Sequence, residues 1–115
     1  MKYKFICPIF RDEIFLFTAD IEKLNKFCPE IEIATNQNGA FYEIRNKSTD
    51  VTGLLVWVDK SDNYNTMVHE CLHLVRAVFK NHGVPFNSKN DEIIAYYQNY
   101  WVRTFWHKMS KEIKE

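Results

Sequence analysis

The clearest apolar pattern in the chain has a helical period and covers residues 65–81. This segment contains no Gly or Pro, and its large apolar side chains fall on one broad arc at about 100° per residue. The arc comprises Met67, Val68, Cys71, Leu72, Leu74, Val75, Val78 and Phe79. Gly83 follows as a candidate C′ residue, and Pro85 prevents the helix from continuing. The pattern predicts a helix that packs into a core along one face.

A second helical segment follows after a loop of about six residues, Gly83–Ser88. It begins within Ser88–Tyr97 and runs to about Lys111, with Ile94, Trp101 and Phe105 on one helical face. This face predicts core packing for an aromatic-rich run that could otherwise suggest base or ligand stacking. Charged and polar residues interrupt the run too often for a membrane span.

The residues before these helices form short apolar runs separated by turn signals. Strands are predicted at Lys2–Ile9, Ile14–Phe17, Glu30–Thr35, Ala40–Arg45 and Val51–Asp59. Asp20–Cys28 is predicted as a short helix, capped by Thr18 or Asp20 and ended by Pro29. The turn at 36–39 predicts that the strands on either side of it pair as a hairpin. The first two strands are also expected to form a hairpin.

A chain that forms its sheet first and its two long helices afterwards has an α+β architecture. We predict a small, mostly antiparallel sheet with one short helix, followed by two packed helices. A length of 115 residues with 46% hydrophobic content predicts a single domain over residues 1–115. The formal net charge is zero, so nothing indicates binding to nucleic acid or to an anionic membrane. We make no prediction of oligomeric state.

The cysteine content and the first residues predict a cytoplasmic location. The segment Met1–Pro8 contains charges and a proline where an export signal needs an uninterrupted apolar stretch. Three cysteines without a Cys-x-x-Cys pair do not suggest a disulfide framework, and they fit a reducing compartment.

The most informative string in the chain is His69–His73, which reads His-Glu-Cys-Leu-His on the first long helix. Two histidines four residues apart lie on one helical face, so both imidazoles can reach one ion while Glu70 faces a bound water. The bare motif is expected by chance in roughly one chain in a hundred of this composition, so its context decides. Both histidines lie in a narrow polar stripe, whereas Cys71 points about 200° away and is predicted to be a buried small residue.

A catalytic zinc ion usually takes three protein ligands, so the histidine pair needs a partner from elsewhere in the chain. The candidate is Glu92 in the first turn of the second helix, which a short loop could lay beside the middle of the first helix. The alternative is that Asp91 and Glu92 are ordinary first-turn acids favoured by the helix dipole. For Asp91 we prefer that alternative. Glu92 is predicted to complete a site with two imidazoles and one carboxylate.

These residues resemble the gluzincin-type metallopeptidases, a group of zincins in which a His-Glu-x-x-His helix precedes a helix with a ligand glutamate. The chain also looks like small uncharacterised phage and mobile-element proteins that carry His-Glu-Cys-x-His followed by an Asp-Glu-x-x-Ala-Tyr helix. The resemblance covers Val56 to about Tyr100. It implies His69, His73 and Glu92 as zinc ligands and Glu70 as general base. Larger gluzincins have an aspartate where this chain has Tyr96.

The predicted function is zinc-dependent hydrolysis of a peptide or protein substrate, with Glu70 accepting a proton from water and returning it to the leaving amine. Tyr96, Tyr97 and His82, in that order, are candidate donors to the oxyanion. The alternative prediction is a catalytically inactive zincin-like phage or mobile-element protein that acts by binding another protein.

Overall fold

The described residues of the chain form a four-stranded sheet with helices on both faces. The structure is a computed structural model that describes residues 1–29, 37–46 and 51–114. Its elements are β1 (Lys2–Ile6), β2 (Glu13–Thr18), α1 (Ile21–Phe27), β3 (Gly39–Asn46), β4 (Val51–Val58), α2 (Tyr64–Asn81) and α3 (Asp91–Lys114). A 3₁₀ turn, Ser88–Asn90, precedes α3. The predicted α+β class is confirmed, and the strand predicted at Glu30–Thr35 lies outside the described residues.

The strand order is β1-β2-β4-β3. The β1–β2 and β3–β4 pairs are antiparallel, whereas β2 and β4 run parallel. The predicted hairpin of the first two strands is therefore confirmed. Among the described strands, β1 and β3 lie at the edges, and β4 is central with buried side chains on both faces over residues 54–58. Burial on both faces explains why this strand has a continuous apolar sequence.

The short helix α1 covers one face of the sheet. Its Leu24 packs with Phe17, Leu55 and Trp57 in a small apolar cluster. The side chain of Asp20 accepts a hydrogen bond from the Lys23 amide, so Asp20 is the N-cap of the two candidates.

The two long helices cover the other face and enclose the larger core. Apolar side chains from β2, β4, α2 and α3 meet there, including Leu16, Val56, Leu74, Val78, Trp101 and Phe105. The helices α2 and α3 run antiparallel, because Tyr64 contacts Trp106 while Phe79 contacts Tyr97. None of the helices in the described ranges has an apolar stretch long enough to cross a membrane.

One member of the predicted apolar arc of α2 is not in the core. Leu72 is 42% exposed, whereas Cys71 and Leu74 are fully buried. Leu72 lies about 140° from Met67 around the helix axis, at the outer margin of the arc. The prediction that Leu72 packs in the core is therefore wrong.

The C-terminal end of α2 is bound to the turn between β1 and β2. Gly83 has a φ of +70°, as expected for the C′ residue that ends a helix. The ring of His82 stacks on Phe10, and its Nε2 lies 2.8 Å from Asp12 Oδ2. These contacts fix the direction in which the chain leaves α2.

Candidate metal centre

The two motif histidines converge on one point beside α2. Their Nε2 atoms are 3.3 Å apart, and their ring planes are inclined by 71°. Two nitrogen ligands at about 2.0–2.1 Å from a tetrahedral ion lie roughly 3.3–3.4 Å apart. Without an ion, the same spacing allows one imidazole N–H to donate to the other ring. The spacing of His69 and His73 thus fits two ligands of one zinc ion.

Glu70 lies between the histidines and the sheet. It is only 7% exposed, and its Oε1 lies 3.8 Å from the Nε2 of His69. Among the described residues, His69, Glu70 and His73 form the group whose ligand atoms all lie within 4.8 Å of one another. Burial raises the pKa of the Glu70 carboxyl, and the charges of His73 and His69 lower it in part. The carboxylate is therefore held close to the candidate ion in poorly solvated surroundings.

The neighbour of this group is the first residue of β3, Gly39. A Cβ atom at Gly39 would collide with Thr66 Cγ2 and would lie 2.9 Å from the carbonyl oxygen of Trp57. It would also lie 3.6 Å from Cγ of Glu70. The absence of a side chain at this position lets α2 approach β3 closely. That approach buries Glu70 against the strand.

The space between β3 and α2 is a cleft of about 390 Å³. It is lined by Gln37, Gly39, Ala40, Phe41, Tyr42, His69, Glu70 and His73. This volume lies within the range of small-ligand pockets, roughly 300–1,000 Å³. The predicted metal ligands on α2 therefore face a cleft whose opposite wall is a strand.

Tyr42 is a cleft residue that sequence reasoning missed. Burial raises the pKa of its hydroxyl, and the nearby charge of Glu70 raises it further, so the group is a neutral O–H donor at pH 7. The strand pattern alone placed Tyr42 in a predicted strand, but no local signal connected that strand to the motif helix. The pairing of β3 with β4 and the clearance at Gly39 make the connection.

The structure does not bring Glu92 to the histidine pair. Glu92 is exposed and is absent from the group of ligand atoms formed by the described residues. It precedes Tyr97 by five residues, and Tyr97 already contacts Phe79 near the end of α2. In an antiparallel pair, Glu92 therefore lies level with the C-terminal end of α2, beyond His73.

The three residues proposed from the sequence as oxyanion donors also lie outside this cleft. Tyr96 is 70% exposed on α3. Tyr97 is buried, and its hydroxyl contacts Cys7 Sγ. His82 is bound to Asp12 at the far end of α2. None of these three residues lines the cleft, whereas Tyr42 does, and the Tyr42 ring also packs against the cluster that contains Leu55 and Trp57.

No family model, curated protein or solved structure matches this chain. The likeness to gluzincins therefore depends on the motif residues themselves. The metal centre is inferred from the geometry of α2 and β3.

Proposed function

We propose that this chain is a zinc-dependent peptidase in which His69 and His73 hold the ion and Glu70 is the general base. The observation that carries the proposal is the convergence of two imidazole nitrogens 3.3 Å apart beside a buried carboxylate. Imidazole nitrogens with a carboxylate nearby are a donor set that suits zinc. When bound, zinc would lower the pKa of its water toward neutral and would polarise a substrate carbonyl.

The protein groups around that point have separate tasks. Glu70 would accept the proton of the attacking water and deliver it to the leaving amine. Tyr42 replaces Tyr96 as the proposed donor to the oxyanion, because Tyr42 lines the cleft and carries a neutral hydroxyl. The wall formed by β3 would hold the substrate chain beside these groups.

Glu92 is left out of the proposed ligand set because it lies level with the end of α2. A site with two protein ligands leaves more positions to water or substrate than the usual three-ligand zinc site. We therefore expect zinc to bind more weakly than in three-ligand enzymes. The three cysteines are buried thiols, which fit a reducing compartment, and we propose that the protein acts in the cytoplasm.

Metal analysis tests the ligand set directly. The wild-type protein and the variants His69→Ala, His73→Ala and Glu92→Ala are loaded with zinc, dialysed and measured by elemental analysis and by calorimetric titration. We expect about one zinc per chain in the wild type and in Glu92→Ala, and loss of zinc in both histidine variants. Wild-type protein that takes up no zinc would overturn the proposal. Loss of zinc in Glu92→Ala would restore Glu92 as a ligand.

Catalysis is tested separately with Glu70→Gln and a mixture of unstructured peptides analysed by mass spectrometry. Removal of the general base should lower cleavage by about 10²–10⁴-fold while zinc remains bound. Glu22→Gln, at an exposed position on α1, is the matched control and should cleave like the wild type. Equal cleavage by Glu70→Gln and wild type would contradict the proposed mechanism.

The position of Glu92 favours one alternative, a zincin-like protein that has no peptidase activity and acts by binding another protein. This alternative predicts that the wild type cleaves no peptide, even with zinc bound. It also predicts that Glu70→Gln leaves partner binding unchanged.

A further inference from the structure

The side of α3 that faces solvent carries a regular stripe of residues at heptad spacing. Going along the helix, the exposed positions of this outer stripe are Ile93, Tyr96, Tyr100, Arg103, His107, Lys111 and Lys114. Three large apolar or aromatic side chains come first, and four basic or imidazole side chains follow. Tyr96, with 70% exposure, has the most exposed of the large rings. Spacing of three and four residues is the pattern of a helix that packs against another helix.

Three charged residues on the outer side of α3 have no ion-pair partner within the described part of the chain: Arg103 and Lys111 in the stripe, and Glu92 next to Ile93. Of the described residues, none lies within ion-pair distance of Glu92, Arg103 or Lys111. Two acidic side chains, Asp91 and Glu92, begin α3, whereas Glu112 near the other end of the helix is occupied by hydrogen bonds from Thr18 and Ser61. The outer face of α3 is therefore acidic and aromatic at one end and basic at the other.

A second copy of the same helix, running antiparallel, matches each end of this face with its complement. Tyr100 then lies opposite Arg103 of the second copy, and Tyr96 lies opposite His107 of the second copy. In the same register, Glu92 lies opposite Lys111 of the second copy. A two-fold axis that crosses the outer face level with the midpoint of residues 101 and 102 produces every one of these pairs twice, as an isologous interface requires.

We propose that the chain forms a homodimer through the outer stripe of α3. The contacts are of known kinds: a guanidinium over a tyrosine ring, an imidazole against a tyrosine ring, and a carboxylate with an ammonium group. Charge complementarity selects the second copy as the occupant. A purely acidic partner would match the basic end but would leave Glu92 facing like charge. An anionic bilayer surface would leave Glu92 without a cationic partner.

This interface gives Glu92 a role that does not depend on zinc. The proposed dimer can therefore be tested independently of the proposed peptidase activity. One helix pair buries less area than the roughly 1,200–2,000 Å² of stable complexes, so the association is weak. We expect a dissociation constant of about 10 μM to 1 mM at low salt. High salt should weaken the dimer, since its charge pairs are exposed.

Sedimentation equilibrium of the full chain, from about 10 μM to about 1 mM, measures the association. Glu92→Lys and Lys111→Glu each place like charges opposite one another, so each should weaken the dimer by about tenfold or more. The double variant restores opposite charges in the same register and should recover the wild-type association. Tyr96→Ser should also weaken the dimer. Ile9→Ser, which removes an exposed apolar side chain that does not belong to the outer stripe, should not.

Circular dichroism checks that each variant is folded, which we expect because all the substituted positions are exposed. A chain that is monomeric at every concentration would overturn the proposal. A dimer that tolerates both single charge reversals would overturn it as well. Failure of the double variant to recover association would also count against it, because the assigned register requires that recovery.

Discussion

The two flanks of α2, one facing α3 and the other facing β3, are held against their neighbours in different ways. The flank toward α3 is packed by side chains alone: Val75 is fully buried and Phe79 is 1% exposed against Tyr97. The flank toward β3 carries Glu70 and the two exposed histidines. It approaches the strand closely because Gly39 has no side chain. The packing of apolar side chains thus holds α2 against α3, whereas the missing side chain of Gly39 lets α2 lie close to β3.

The stability of α2 and the chemistry of its histidines are therefore separable. Truncation on the α3 flank should reduce stability without moving the histidine nitrogens relative to each other, because both histidines belong to one rigid helix. A change on the β3 flank should alter the cleft more than it alters the global fold.

The largest effect is expected on the packed flank. Phe79→Ala removes a buried ring that contacts Phe10 and Tyr97 and should lower the free energy of unfolding by about 3–5 kcal/mol. Leu72→Ala on the same helix is the control, and it should cost no more than about 0.5 kcal/mol because Leu72 is partly exposed. Urea denaturation measures both. Equal losses in the two variants would contradict the described burial.

The second-largest effect is expected on the flank of α2 that faces β3. Gly39→Ala pushes a methyl group against Thr66 and the Trp57 carbonyl oxygen, so it should cost about 1–3 kcal/mol. It should also reduce the proposed cleavage, because α2 must move away from β3. Adding Thr66→Ser removes one of the two clashes and should recover part of the stability. A Gly39→Ala protein as stable as the wild type in urea would rule out the close approach.

Glu70→Gln should stabilise the metal-free protein at neutral pH. Burial raises the pKa of Glu70, so ionising this carboxyl costs more in the folded chain than in the unfolded chain. That cost grows as the pH rises from the ordinary pKa through the raised one, and it disappears below the ordinary value. We expect a rise in Tm of no more than about 5 °C at pH 7. Little change is expected at pH 4. A lower Tm for Glu70→Gln at pH 7 would contradict this sign.

The smallest expected effect concerns the thiol between the two flanks. Burial raises the pKa of Cys71 to about 12, so roughly one molecule in ten thousand carries the thiolate at pH 8. Iodoacetamide should therefore leave Cys71 unmodified in the folded protein, as peptide mass spectrometry can show. All three cysteines should react in guanidinium chloride. Rapid labelling of Cys71 without denaturant would show that its side of α2 opens to solvent.

The sequence predicted α2 closely, at residues 65–81 against Tyr64–Asn81. A long segment without Gly or Pro, with regular apolar spacing, fixes a helix locally. The cap was not predicted: the Asn63 side chain accepts a hydrogen bond from the Thr66 amide. Local chemistry was therefore sufficient for the helix and for the spacing of its two histidines.

Relations between distant elements were harder to predict. A short loop between antiparallel helices places the first turn of the second helix beside the last turn of the first. This geometry puts Glu92 at the end of α2, whereas the prediction placed it beside the middle. The sequence also did not predict that β3 forms a wall of the cleft. The pairing of β3 with β4 brings β3 beside α2, which is not its neighbour in the sequence.

The central position of β4 also determines when the chain can fold during its synthesis. β2 and β4 pair in parallel, so α1 and β3 must both be made before β2 gains its second neighbour. Until Val58 leaves the ribosome, the nascent chain holds an isolated β1–β2 hairpin, which is marginally stable in water. During that interval β2 presents an open strand edge beside Ile14 and Leu16, whose apolar side chains lack their core partners. The first half of this chain is thus the part that a ribosome-associated chaperone would need to shield.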